Sequence, residues 1–231
     1  VGLQALRRAY AVRRALGARE RRARLRVERA NAQARAEPAQ RLGSRTRSAL
    51  EQLLATKSVT QIKKCCVTLE LSTTYSRRCC ESFVFAEAHL RMFELMRSCN
   101  RSLPHQELLK HVLRILANLT RYPHLVGTVA QAPGCVEVLV DMMQFFRELE
   151  DTFLLSVGLV ATMARSERRI RQQAAAPEIA KRLGGILSIL RRKFSLATKH
   201  GVGPAAGKVN KASQKSASIE AMEDLVSLLK K

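Results

Sequence analysis

The stretch LRILANLTRYPHLVGTVAQAPGCVEVLVDMM, residues 113–143, decides the fold. Its apolar residues return every three to four positions: Ile115, Leu116 and Leu119, then Leu125, Val126 and Val129, then Val136, Leu139, Val140 and Met143. That spacing lines one face of a helix. Pro123 and the corner Ala130-Gln-Ala-Pro-Gly134 separate the three runs. A proline is favoured in the first turn of a helix, where its missing N–H is not needed, so each proline predicts where the next helix starts.

The same pattern extends outward from both ends of this stretch. Leu50, Leu53 and Leu54 form one stripe; Ile62, Cys65, Cys66 and Leu69 form another; Cys79, Phe83, Ala86, Leu90 and Phe93 continue it. Beyond Met143 come Phe153, Val157, Val160 and Met163, then Ile179, Leu183, Ile186, Leu187 and Leu190. No strand-like alternation competes, so the class is all-α. Shifting the chain by 44 residues aligns Leu69, Leu113 and Val157 without a gap, as it does Arg77, Arg121 and Arg165. Ala86, Ala130 and Ala174 align too, followed by Ala88, Ala132 and Ala176, then Leu95, Leu139 and Leu183. Pro133 matches Pro177, with His89 in the earlier equivalent place. Units of about 44 residues match armadillo and HEAT repeats in size. A unit of this kind buries its apolar face only against its neighbours. The expected architecture is a long N-terminal helix followed by an armadillo/HEAT-like helical-repeat solenoid over residues 45–198.

Charge divides the chain differently. The formal charge is +22, and residues 1–47 carry half of it, with fourteen Arg against Glu20, Glu28 and Glu37. Residues 1–37 are rich in Ala and Arg and should form one exposed helix ended by Pro38. Such a polar helix has too little apolar face to fold alone and calls for a partner. Within it, LQALRRAYAVR (3–13) fits the IQ pattern: an aliphatic residue, Gln, a basic residue four further on, and a second basic residue five after that. Leu3, Leu6 and Tyr10 fall at helical intervals and suit a hydrophobic cleft, as in helix-in-groove recognition. Gln4 can bond a loop backbone, while Arg8 and Arg13 meet the acidic rim of a calmodulin-like protein. Ala9 stands where Gly is common. The competing reading is a basic helical protein associated with nucleic acid or ribonucleoprotein. Aromatics make up only 4% of the chain and Trp is absent, which removes a base-stacking platform.

The C-terminal part changes character again. Residues 199–218 hold Gly201, Gly203, Pro204 and Gly207 among Lys, Ser and Ala, and read as a flexible linker. Residues 219–231 read as a short amphipathic helix with Ile219, Met222, Val226 and Leu229 on one face. It suits either a cap on the solenoid or a contact with a partner. No apolar run approaches 18 residues, so no membrane span is expected. Val1 is not an initiator Met, which suggests a piece of a longer protein or a processed one.

Reactive residues cluster in RSCNRSLPHQELLK, residues 97–110. Cys99, Asn100 and His105 have the residue types of a thiol hydrolase, and Cys99, His105 and His111 those of a zinc site. Neither chemistry has a complete set of groups here. A helix joint explains the segment better: Ser102 or Asn100 would cap a helix begun by Pro104, with Glu107 near its positive end. That helix is predicted over 104–121. Catalytic, cofactor and metal sites are therefore expected to be absent. The six cysteines, Cys65, Cys66, Cys79, Cys80, Cys99 and Cys135, lack zinc-finger spacing and read as buried free thiols.

CCVTLELST (65–73), CCESFV (79–84) and RSCNRSLPHQELL (97–109), preceded by an IQ-type helix, resemble the C-terminal region of the abnormal-spindle family. The resemblance covers residues 1–195. It implies a non-enzymatic, microtubule-associated scaffold at the spindle pole or centrosome, with the ciliary axoneme open beside them. It also implies an armadillo-like domain, partners that include a microtubule-severing complex, and calmodulin or a related light chain on the IQ helix. By the motif, those calmodulin contacts fall to Leu3, Gln4, Arg8 and Arg13.

Overall fold

The computed structural model describes the backbone of residues 2–37, 41–199 and 209–230, and the side chains of 17–32, 35–37, 41–196 and 217–230. Every regular element among them is a helix, in the order α1 Gly2–Ala36, α2 Leu42–Ala55, α3 Val59–Tyr75, α4 Arg77–Phe85, α5 Ala88–Ser98 and α6 Leu103–Thr120. After these come α7 Pro123–Ala130, α8 Cys135–Phe145, α9 Glu150–Ser166, α10 Arg168–Ala174, α11 Pro177–Lys199 and α12 Val209–Leu229. Residues 1–45 and 46–231 form two separate units. Among the described residues no single helix is long and apolar enough to cross a membrane.

In the larger unit α3 packs on α6 and α6 on α9, while α12 packs on both α9 and α11. Polar links tie the long helices together at an almost constant sequence offset. Lys63 pairs with Glu107, Arg114 Nη1 donates to Glu70 Oε1 at 3.3 Å, and Asn118 Nδ2 donates to Thr74 Oγ1 at 2.9 Å, each across 44 residues. One offset kept from end to end means that α3 and α6 run side by side in the same direction. Lys110 meets Asp151 at 3.3 Å between α6 and α9.

Burial follows the same register. Leu69, Leu113 and Val157 are all buried at matching places on α3, α6 and α9, and Leu95, Leu139 and Leu183 match on α5, α8 and α11. Each removes an aliphatic side chain from water, a gain of about 1.5–3 kcal/mol apiece. The small corner residues Ala88, Ala130, Ala132 and Ala174 are buried as well, which lets successive helices approach closely. Gly134 caps α8 with φ +62°, a left-handed conformation that costs a residue with a side chain about 1–2 kcal/mol. Glu87 occupies the equivalent place before α5 with φ +53°.

Three expectations need correction. The linker expected over 199–218 is shorter, because α11 reaches Lys199 and α12 begins at Val209. The breakers all lie at or before Gly207, whereas VNKASQKSAS contains neither Gly nor Pro to interrupt a helix. Residues 200–208 and 38–40 lie outside the described residues. The C-terminal helix is correspondingly longer than 219–231; it buries Met222 and Leu225, and Arg191 pairs with Glu223 at 2.6 Å to tie it to α11. Leu54, placed in a core stripe from its spacing, is instead half exposed.

Candidate protein-interaction site

The backbone of residues 3–13 lies within α1. The side chains of Leu3, Gln4, Leu6, Arg8, Tyr10 and Arg13 fall outside the described residues. The described part of α1 is almost fully exposed from Arg19 onward, including Leu25 and Val27. Arg24 holds Glu20 at 2.8 Å one turn away, and Arg22 Nε donates to the Ala18 carbonyl at 3.4 Å. Seven arginines (Arg19, Arg21, Arg22, Arg24, Arg26, Arg29 and Arg35) therefore project from this half of the helix against two acids.

The corner between α5 and α6 is built from its own polar groups. Asn100 N donates to His105 Nδ1 at 3.1 Å, and Asn100 Oδ1 accepts from Ser102 N at 2.9 Å. Gln106 Nε2 donates to the Arg101 carbonyl at 2.6 Å. Ser102 occupies the N-cap position with extended backbone but makes no side-chain cap bond; of the two expected caps, Asn100 is the one engaged, accepting from Ser102 N just ahead of the helix. Pro104 sits in the first turn. Glu107 lies deeper in the helix than expected and reaches across to Lys63 on α3, which holds its carboxyl below the usual range. His111 contacts Glu70 at 2.5 Å, away from His105. The Cys-Asn-His set thus closes a turn, and its histidine nitrogen is already engaged. Among the described residues no group of three His, Cys, Asp or Glu side chains converges as metal ligands would.

All six cysteines are free thiols; five are buried and Cys99 is partly exposed. Burial pushes the Cys66 thiol up to about 12, and the Cys80 and Cys99 thiols to about 11. Thiols held neutral in this way are poor nucleophiles and poor metal ligands.

Among the described residues, a concave surface lies between α6 and α9. It is a groove of about 690 Å³, with Ala117, Leu154, Leu155 and Gly158 along its floor and Arg114 and Arg121 at its margin. The small residues open the space: a side chain at Gly158 would meet nothing within 4 Å. Arg114 shares Glu70, while Asp151 on the other wall accepts from Lys110. An apolar floor with arginines at its edge suits a peptide carrying aliphatic and acidic side chains. The sequence reading passed over this groove because it followed one apolar stripe per helix. The signal was present in FLLSVGL (153–159), where Leu154 and Leu155 exceed what a single stripe requires.

Comparison with known proteins adds the remaining observation. No family model matches the chain, and no solved structure matches it. Over 168 residues, 69% of this chain, it is 27% identical to the abnormal spindle-like microcephaly-associated protein homolog of Canis lupus familiaris. The corresponding identities are 28% for the Felis catus homolog and 26% for the Homo sapiens protein. The chain spans about 5% of the length of each of these relatives. Over most of its length, then, this chain is similar to a short segment of abnormal spindle-like proteins.

Proposed function

We propose that this chain is a non-enzymatic scaffold module of the microtubule cytoskeleton, working at the spindle pole or centrosome or at the ciliary axoneme. The observation that carries the reading is the similarity to abnormal spindle-like proteins over 69% of the chain. In this reading residues 45–198 are an armadillo/HEAT-like solenoid that holds protein partners, and the groove between α6 and α9 is its binding surface. The shared 44-residue register of burial and of polar links supports the repeat assignment. The N-terminal helix binds calmodulin or a calmodulin-like light chain through Leu3, Gln4, Leu6, Arg8, Tyr10 and Arg13. Its support is the IQ spacing and the helical backbone of α1.

Co-purification tests the function. The tagged full chain, washed at 0.3 M salt, retains tubulin and a calmodulin-like chain if the reading holds. Ribonuclease-sensitive RNA in their place supports the nucleic-acid alternative, because phosphate contacts made by arginines weaken steeply with salt and only a specific RNA complex survives that wash.

A further inference from the structure

Among the described residues of the larger unit, no helix covers one side of α3 as α3 covers α6 and α6 covers α9. Val67, Leu71 and Tyr75 recur every four residues on this helix, within about 80° of arc. Their counterparts on α6 are His111, Ile115 and Leu119, on the side turned toward α3, where His111 meets Glu70. Their counterparts on α9 are Leu155, Leu159 and Met163. Ile115, Leu119, Leu159 and Met163 are buried, and Leu155 is partly so. On α3 the same three places are exposed: Val67 46%, Leu71 47% and Tyr75 76%. Lys64 shares this side, one turn before Val67, where α6 carries the buried Leu108 and α9 the buried Thr152. A lysine at a position that is otherwise buried sets this end of the stack apart.

We infer that this side of α3 is a docking surface for an acidic amphipathic helix of a partner protein. Such a helix would lie along α3 as α3 lies along α6. Its aliphatic stripe would cover Val67, Leu71 and Tyr75, and its carboxylates would meet Lys64 and Arg78. Both cations are exposed, and among the described residues neither forms an ion pair, whereas the neighbouring Arg77 is taken by Glu81 at 2.8 Å. Charge decides against two other occupants. A second copy would bring Lys64 and Arg78 against the same residues of its twin. Helix α1 has Leu25 and Val27 to offer, but seven arginines beside them. The inference rests on the side-by-side packing of α3, α6 and α9 and is independent of the calmodulin reading.

The test uses the full chain and two synthetic helical peptides with the same leucine stripe, one flanked by Glu and the other by Lys. The expected result is binding of the Glu peptide at least tenfold tighter than the Lys peptide, with slowed amide exchange over residues 64–75. Leu71→Asp and, separately, Lys64→Glu with Arg78→Glu should each weaken it at least tenfold. Both sites are exposed, and circular dichroism checks that each variant is folded; if Leu71→Asp fails to fold, the charge-reversal variant carries the test. Equal binding of the two peptides overturns the inference, as does binding that protects α1 or the α6/α9 groove instead. A dimer that Leu71→Asp dissolves, or increased exchange over 64–75 after deletion of residues 1–45, also overturns it by naming a different occupant.

Discussion

Ile115 and Leu71 hold the same place in the 44-residue register but differ in surroundings, so truncating each to alanine isolates the contribution of stacking. Ile115 is fully buried between α6 and its neighbours, and Ile115→Ala removes its aliphatic atoms from a closed site. Transfer and cavity terms together predict a loss of about 2–5 kcal/mol. Leu71 is 47% exposed, so roughly half of its transfer free energy is at stake and water refills the space. Leu71→Ala should cost about 1 kcal/mol. For a chain of this size each kcal/mol lowers Tm by about 2–4 °C, giving about 6–12 °C for a 3 kcal/mol loss at Ile115 and about 2–4 °C at Leu71. Urea unfolding of the full chain followed by far-UV circular dichroism reads both. Equal losses at the two sites would mean that Leu71 is covered in the isolated chain, contrary to its exposure. A loss below about 1 kcal/mol at Ile115 would mean that α6 does not pack against α3.

Four further expectations follow from particular residues. Gly134→Ala should cost about 1 kcal/mol or more in urea unfolding, because it forces a side chain into φ +62° and places its Cβ 3.1 Å from Arg97 Nη2; a neutral result would contradict the left-handed cap. His105→Ala removes the acceptor for Asn100 N and should lower stability by about 1 kcal/mol while leaving tubulin or calmodulin capture unchanged; loss of capture with the fold intact would return the corner to the binding site. Iodoacetamide at pH 8 should label Cys66 and Cys80 far more slowly than the same thiols in urea, since burial keeps both protonated; peptide mass spectrometry would contradict this by finding Cys66 labelled at the unfolded rate. Burial lowers the His89 pKa below its ordinary 6.5, so the unfolded chain takes up a proton there before the folded one does. Its contribution is complete above about pH 6.5 and is lost as pH falls toward the depressed folded value. His89→Phe should flatten that part of the stability profile, and an unchanged slope between pH 7 and 5 would count against it.

The helical class and most helix positions were legible because apolar spacing and proline punctuation report on local structure. α6 was expected over 104–121 and runs Leu103–Thr120. The 44-residue offset was legible too, since it returns in the buried places of α3, α6 and α9 and in the polar links between α3 and α6. What the sequence concealed was tertiary. Nothing local says that Leu71 lacks a neighbour while Ile115 has one, because the two helices carry similar stripes. The groove depends on Ala117 and Gly158 lining one space from different helices. The corner was legible as a helix joint begun by Pro104, but its bonding was not: Ser102 makes no side-chain cap, and only the folded turn shows His105 Nδ1 accepting from Asn100 N. The Gly- and Lys-rich tail extended the linker reading too far, since breakers mark where a helix cannot continue but not where the next one starts.

The most direct test of the account is a titration of the full chain with calmodulin in a chelator, repeated with the Gln4→Ala/Arg8→Glu/Arg13→Glu variant. IQ helices often hold calmodulin without Ca²⁺. The expected result is a one-to-one complex that survives 0.3 M salt and is weakened at least tenfold by the variant. Absence of any complex in chelator, or equal binding by the variant, would contradict it.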